Sequence, residues 1–139
     1  MRVLAVDVGE KRIGTALSDA GGKIAQGLKL LASSGSLAGN VAALAELARQ
    51  CEADRVVVGL PKNLDGTIGP NAQRIIALAK GIGDASGVPV ELWDERFSTD
   101  EAHRIFDMAS VKRKKRKGVI DIMAAQIILQ GYLDAQGRE

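Results

Sequence analysis

Four acidic residues occupy places where carboxylates can do chemistry. Asp7 lies near the end of the apolar run Arg2-Val-Leu-Ala-Val-Asp-Val8, Asp94 and Glu95 follow Val90-Glu-Leu-Trp, and Asp121 opens the last amphipathic stretch. A charge on a strand otherwise made of Val, Leu and Ala needs a partner. Carboxylates that converge repel one another unless a cation lies among them. An oxygen-only donor set suits a hard ion, Mg²⁺ or Mn²⁺, which keeps waters and also binds phosphate oxygens. Such ions activate water and stabilise a leaving oxygen in phosphodiester hydrolysis, and this route needs no histidine. The single histidine, His103, reads as a surface residue of its helix. Each carboxylate also has a plain structural reading: Asp94 and Glu95 as loop or helix-start residues, and Asp121 as a first-turn residue favoured by the helix dipole. Strand alternation sets Asp94 on the face of Val90 and Leu92 and Glu95 on that of Glu91 and Trp93, so within one strand only one of them faces Asp7.

Cations stand close to these acids in sequence. Lys112, Arg113, Lys114, Lys115, Arg116 and Lys117 are consecutive and come just before Asp121. The chain has 19 basic and 17 acidic residues, a net charge of +2; without that run thirteen basic residues remain, a balance of about −4. A mildly acidic body with one intensely basic segment points to a polyanion partner at that segment. Lys11 and Arg12 follow the first apolar run and are equally open to phosphate, and Arg96 either neutralises the acids or touches phosphate. Aromatic residues make up only 3% of the chain, which argues against a broad base-stacking platform and for recognition of backbone charge and shape. The stretch Gly59-Leu-Pro-Lys-Asn-Leu-Asp-Gly66 lacks the Gly-Lys-Ser/Thr ending of a P-loop, although Asn63, Asp65 and its amides could line a cleft.

Composition narrows the class further. The 139 residues are 46% hydrophobic and 26% charged, an ordinary globular mix that fits one domain over residues 1–139. One cysteine, Cys51, excludes an intrachain disulfide and a zinc cluster, and fits a reducing cytoplasmic setting. No apolar run is long enough for a membrane span, and the first residues are too short and too soon charged for a signal peptide.

The elements that must position the acids follow from periodicity. Residues 2–8 read as a buried central strand, with further strands at 12–19 and 23–32 joined by the turn around Gly21-Gly22. Ser36 is an N-cap for a helix to about Cys51, residues 55–60 form another buried strand, and Pro70 suits the first position of a second helix. Residues 90–94 form the fifth strand. Ser98-Thr-Asp-Glu101 has the capping-box form, and residues 119–134 make a last helix with Asp121 in its first turn. Early hairpins call for antiparallel pairing and later crossovers for parallel neighbours, giving a five-stranded mixed sheet flanked by helices, an α/β architecture. Ligands then bind beyond the carboxyl ends of the parallel strands, where Asp7 and Asp94-Glu95 fall.

Four blocks, in order, resemble one family over essentially the whole chain. Met1-Arg-Val-Leu-Ala-Val-Asp7-Val-Gly9 with Lys11-Arg12-Ile13-Gly14 is similar to the opening signature of the YqgF/RuvX family. Val58-Gly-Leu-Pro-Lys-Asn-Leu-Asp-Gly-Thr-Ile-Gly-Pro70, Asp94-Glu95-Arg96-Phe97-Ser98-Thr99, and the basic run with Asp121 and Ala124-Ala-Gln-Ile-Ile-Leu-Gln130 resemble its other blocks. Members are described as Holliday-junction-resolvase-like proteins and as pre-16S ribosomal RNA nucleases. The resemblance implies a ribonuclease H-like fold and a Mg²⁺- or Mn²⁺-dependent nuclease centred on Asp7, Glu95 and Asp121, with Asp94 as a neighbour. Glu10 departs from the small hydroxyl residue more usual there. The expected substrate is structured nucleic acid, first of all the 5′ end of pre-16S rRNA in its maturation, with ribosomal precursor particles as partners. Branched DNA cut by a junction resolvase, which needs a dimer, is the enzymatic alternative. A non-catalytic nucleic-acid-binding assembly factor belongs to another class, and a sugar-kinase-like ATPase is disfavoured by length.

Overall fold

The computed structural model describes residues 1–61, 66–94 and 117–136. Among the described residues five strands and three helices follow in the order β1 (Val3–Val8), β2 (Arg12–Ser18), β3 (Ala25–Ala32), α1 (Leu37–Gln50), β4 (Arg55–Leu60), α2 (Pro70–Ser86), β5 (Val90–Asp94) and α3 (Lys117–Gln136). They build one sheet with strand order β3-β2-β1-β4-β5. The hairpin strands β1, β2 and β3 pair antiparallel, and β1–β4 and β4–β5 pair parallel, as the lengths of their connections demand. The expected mixed sheet is therefore the observed one.

Alternation along β1 divides the core in two. Leu4 and Val6 pack with α1 and α2 through Leu44, Ala48, Ile75 and Ile82. Val3 and Ala5 point the other way, toward α3. On α3 the buried residues Ala125, Ile128, Leu129, Tyr132 and Leu133 recur at three- and four-residue steps, one apolar stripe on one helix face. Burying a large apolar side chain of this kind stabilises the fold by about 1.5–3 kcal/mol.

Local chemistry sets the element ends. Ser36 caps α1 by accepting from the Gly39 amide at 3.0 Å. Pro70 sits at the start of α2, where a missing N–H costs nothing, and Gly87 ends it in the left-handed conformation. The β2–β3 register slips between Thr15 and Ala16, and the buried Thr15 hydroxyl spans the irregularity, donating to the Lys29 carbonyl at 2.6 Å and accepting from the Lys29 amide at 3.0 Å. Strands β2 and β3 are shorter than the runs 12–19 and 23–32, because Asp19 leaves the ladder to accept turn amides from Lys23 and Ile24. The last helix begins at Lys117, two residues earlier than periodicity predicts, so the basic run ends inside it. Among the described residues no helix is long and apolar enough to cross a membrane.

Candidate active site

Asp7 stands on the α3 side of β1, since its neighbours Val6 and Val8 pack toward α1 and α2. It is half-buried, more open than its apolar strand suggests. Its cross-strand partner is Gly14 of β2, and paired residues on antiparallel strands point to the same face about 4.5–5.5 Å apart at Cα. Gly14 has no side chain because α3 occupies that space. A Cβ there would collide with the Asp121 carbonyl oxygen and stand 2.5 Å from the Asp121 carbonyl carbon and 3.0 Å from the Ile122 nitrogen. The missing methyl group thus lets the α3 backbone rest on the sheet at Asp121, one strand away from Asp7.

Two of the three acids expected to converge, Asp7 and Asp121, therefore share one face at one edge. Asp121 is not in the first turn of α3, as the sequence pattern suggests, because the helix starts four residues before it and carries no acid in that turn. The helix-dipole reading loses its basis, since that effect fades beyond the first turn. The Asp121 carboxylate instead accepts from Arg12 Nε at 2.9 Å, with both side chains partly exposed. Arg12, expected to be open to phosphate, is thus anchored to an acid.

Asp94 ends β5 opposite Leu60 and is buried, at 8% exposure. Val90 and Leu92 pack with the α1–α2 core, so alternation places Asp94 on the face away from Asp7. Glu95, Arg96, Lys112, Arg113, Lys114, Lys115 and Arg116 lie outside the described residues, as do Asn63, Asp65, His103 and the helix expected from the capping box. Lys117 is described only as the start of α3. Among the described residues no group of three or more His, Cys, Asp or Glu gathers as a metal cluster. Lys11 and Glu10 are exposed on the β1–β2 turn, and the Lys11 carbonyl accepts from the Ser33 amide at 2.9 Å. Cys51 caps α1, and burial pushes its thiol upward, away from a reactive thiolate.

Two features of this face carry little signal in the sequence. Gly14 reads only as part of a motif, although a glycine within a strand pattern signals a close backbone approach. At the other end of α3, Tyr132 accepts from Arg55 Nη1 at 2.6 Å and donates to Glu91 Oε2 at 2.6 Å. Trp93 meets the Tyr132 ring edge-to-face at 5.6 Å. This polar knot fastens α3 to β4 and β5.

A five-stranded sheet of this order, with an acidic edge beneath a late helix, defines a ribonuclease H-like fold. RuvC from Thermus thermophilus, solved in complex with a Holliday junction substrate, superposes with a TM-score of 0.64 at 15% identity, covering 98% of this chain and 96% of its own. Fowlpox virus resolvase, solved with junction DNA, gives 0.60 at 18% identity, covering 98% and 99%. The family model RuvX, described as Holliday junction resolvase, matches residues 1–135. A relative from Pelotomaculum thermopropionicum is 47% identical, covering 99% of this chain and 90% of its own. One from Symbiobacterium thermophilum is 49% identical, covering 98% and 94%. Both carry the provisional name pre-16S rRNA nuclease. The chain belongs to the RuvX (YqgF) family. Its class is accordingly that of a nuclease, a hydrolase of phosphodiester bonds.

Proposed function

We propose that this chain, as one domain over residues 1–139, is a Mg²⁺- or Mn²⁺-dependent nuclease that processes the 5′ end of pre-16S rRNA in the cytoplasm, on ribosomal precursor particles. The observation that carries the reading is the Gly14 seat, which sets the backbone of Asp121 one strand from Asp7 on a single face. Two half-buried carboxylates without nitrogen or sulfur donors fit a hard divalent ion. Asp7, Asp121 and Glu95 would hold it, with Asp94 as a buried support at the end of β5, two strands from Asp7. Such an ion, when bound, supplies a Lewis acid and lowers the pKa of water. The chain's own groups do the rest. Lys11 and Arg12 beside the site, with Arg96 and Lys112 to Lys117, would hold the phosphate backbone, so affinity should fall steeply with salt. The names of the relatives support the ribosomal RNA substrate.

Cutting of four-way DNA junctions is the second reading, favoured by the description of the family and by the junction complexes of its structural neighbours. Symmetric incision needs two sites, hence a dimer. Precursor RNA and junction DNA incubated in parallel with Mg²⁺, Mn²⁺ or chelator separate the two. Asp7→Asn is expected to lose cleavage by at least about 10²-fold. Metal-dependent cutting that survives in the pure variant refutes the assignment. A strict monomer in sedimentation, with and without junction DNA, argues against coordinated resolution.

A further inference from the structure

Arg12 meets two opposing demands. Its Nε donates to Asp121 Oδ2 at 2.9 Å across 109 residues of sequence. The carboxylate proposed to hold a metal is therefore already engaged by a cation of the protein. The Arg12 side chain is 38% exposed and that of Asp121 30%, so the pair is open to exchange with solvent ions. Among the described residues the terminal Nη groups of Arg12 make no hydrogen bond. They are a two-pronged donor beside the site, of the shape that matches phosphate oxygens.

Resting on the metal-site reading above, we propose that Arg12 couples metal binding to nucleic-acid binding: it occupies Asp121 in the metal-free protein and turns to a substrate phosphate once a divalent cation takes that carboxylate. Electrostatics sets the direction. A guanidinium a few ångströms from a divalent ion is repelled by it, and the nearest favourable anion is then the nucleic-acid backbone. Arg12 and the cation compete for Asp121, so each weakens the hold of the other. Released from Asp121, Arg12 strengthens phosphate binding, and linkage makes this reciprocal: nucleic acid tightens the metal. Lys11 differs in kind. It is exposed, has no ion pair with an acid among the described residues, and adds its charge whether or not metal is present.

Calorimetry with Mn²⁺ alone, and anisotropy of a labelled pre-16S RNA fragment in Mn²⁺ or chelator while gels show it intact, test the coupling. Arg12→Gln is expected to bind Mn²⁺ about two- to fivefold more tightly than wild type, the factor for relieving a partly exposed ion pair. Arg12→Lys keeps the charge and stays near wild type. Mn²⁺ tightens RNA binding in wild type, and this gain shrinks in Arg12→Gln to the part the ion supplies by its own contact with phosphate. Lys11→Gln weakens RNA binding equally in Mn²⁺ and chelator, lowering the salt slope by about 1. An Arg12→Gln protein that binds Mn²⁺ no more tightly, or keeps the RNA gain undiminished, overturns the coupling. If wild type binds Mn²⁺ no better than Asp7→Asn, the metal site itself fails. Melting curves without metal verify that each variant is folded.

Discussion

Replacing Gly14 by alanine tests the geometry on which the site depends. The added Cβ meets backbone, not a flexible side chain: the Asp121 carbonyl carbon would lie at 2.5 Å. Ordinary contact begins near 3.4 Å, so α3 must withdraw by at least about 0.9 Å at Asp121, and by more to clear the carbonyl oxygen, which is nearer still. Forcing a methyl group into a packed interface costs about 1–3 kcal/mol. Alanine also restricts the unfolded chain, which returns up to about 1 kcal/mol. The net loss is about 1–2 kcal/mol, read as a lower urea midpoint at unchanged slope. The larger effect falls on catalysis, because a displacement near 1 Å at a reacting group costs about 10²-fold. Gly27→Ala is the matched control. Its Cβ would meet Ile122 Cγ2 at 2.5 Å, and that methyl can move by side-chain rotation. Gly27→Ala should lose less than about 1 kcal/mol and keep near-normal turnover. Equal losses of turnover in the two variants, or full activity in Gly14→Ala, would refute the argument that this glycine places Asp121.

Two predictions concern stability and pH. Burial, and then the hydrogen bond to Glu91, push the Tyr132 phenol above its ordinary value. The knot is therefore fully present below about pH 10, the unfolded value, and weakens as pH rises through the higher folded value. Tyr132→Phe should cost about 1–2 kcal/mol in urea titrations at pH 7 and flatten the alkaline loss; an unchanged midpoint refutes it. Hydrogen bonds from the Ile24 and Lys23 amides hold the Asp19 carboxyl below its usual value. That contribution is present above about pH 4 and is lost as pH falls through the lowered folded value. Asp19→Ala should thus lower the melting temperature at pH 7 and matter progressively less in acid, and a pH-independent difference would contradict it.

The elements were legible because their signals are local. The Val-rich run of β1, the serine cap at Ser36 and Pro70 at the start of α2 each act within a few residues, and each appears where the pattern puts it. That Asp7 falls at the carboxyl edge of the sheet was legible from the strand pattern; that Asp121 meets it requires the start of the last helix to pack at that edge. What could not be read depends on register and on contacts distant in sequence. Nothing local says that Asp7 stands opposite Gly14, that Arg12 reaches Asp121, or that Tyr132 joins Arg55 and Glu91. The start of α3 was misplaced because lysine and arginine carry no apolar periodicity, although both are good helix formers. A start at residue 119 would set Asp121 in the first turn; the start at Lys117 sets it beyond that turn.

The helix that completes this centre is made after every other described element, whereas the strands it covers are made first. On a translating ribosome Asp7 and Gly14 emerge early, and Val3, Ala5, Ala16 and Ala25 stay uncovered until residues 125–133 follow. A growing chain thus carries Asp7, one member of the proposed carboxylate pair, beside a bare apolar surface. On the proposed reading cleavage waits for Asp121 and α3, so a product terminated before that helix is expected to bind nucleic acid without cutting it and to be prone to aggregate.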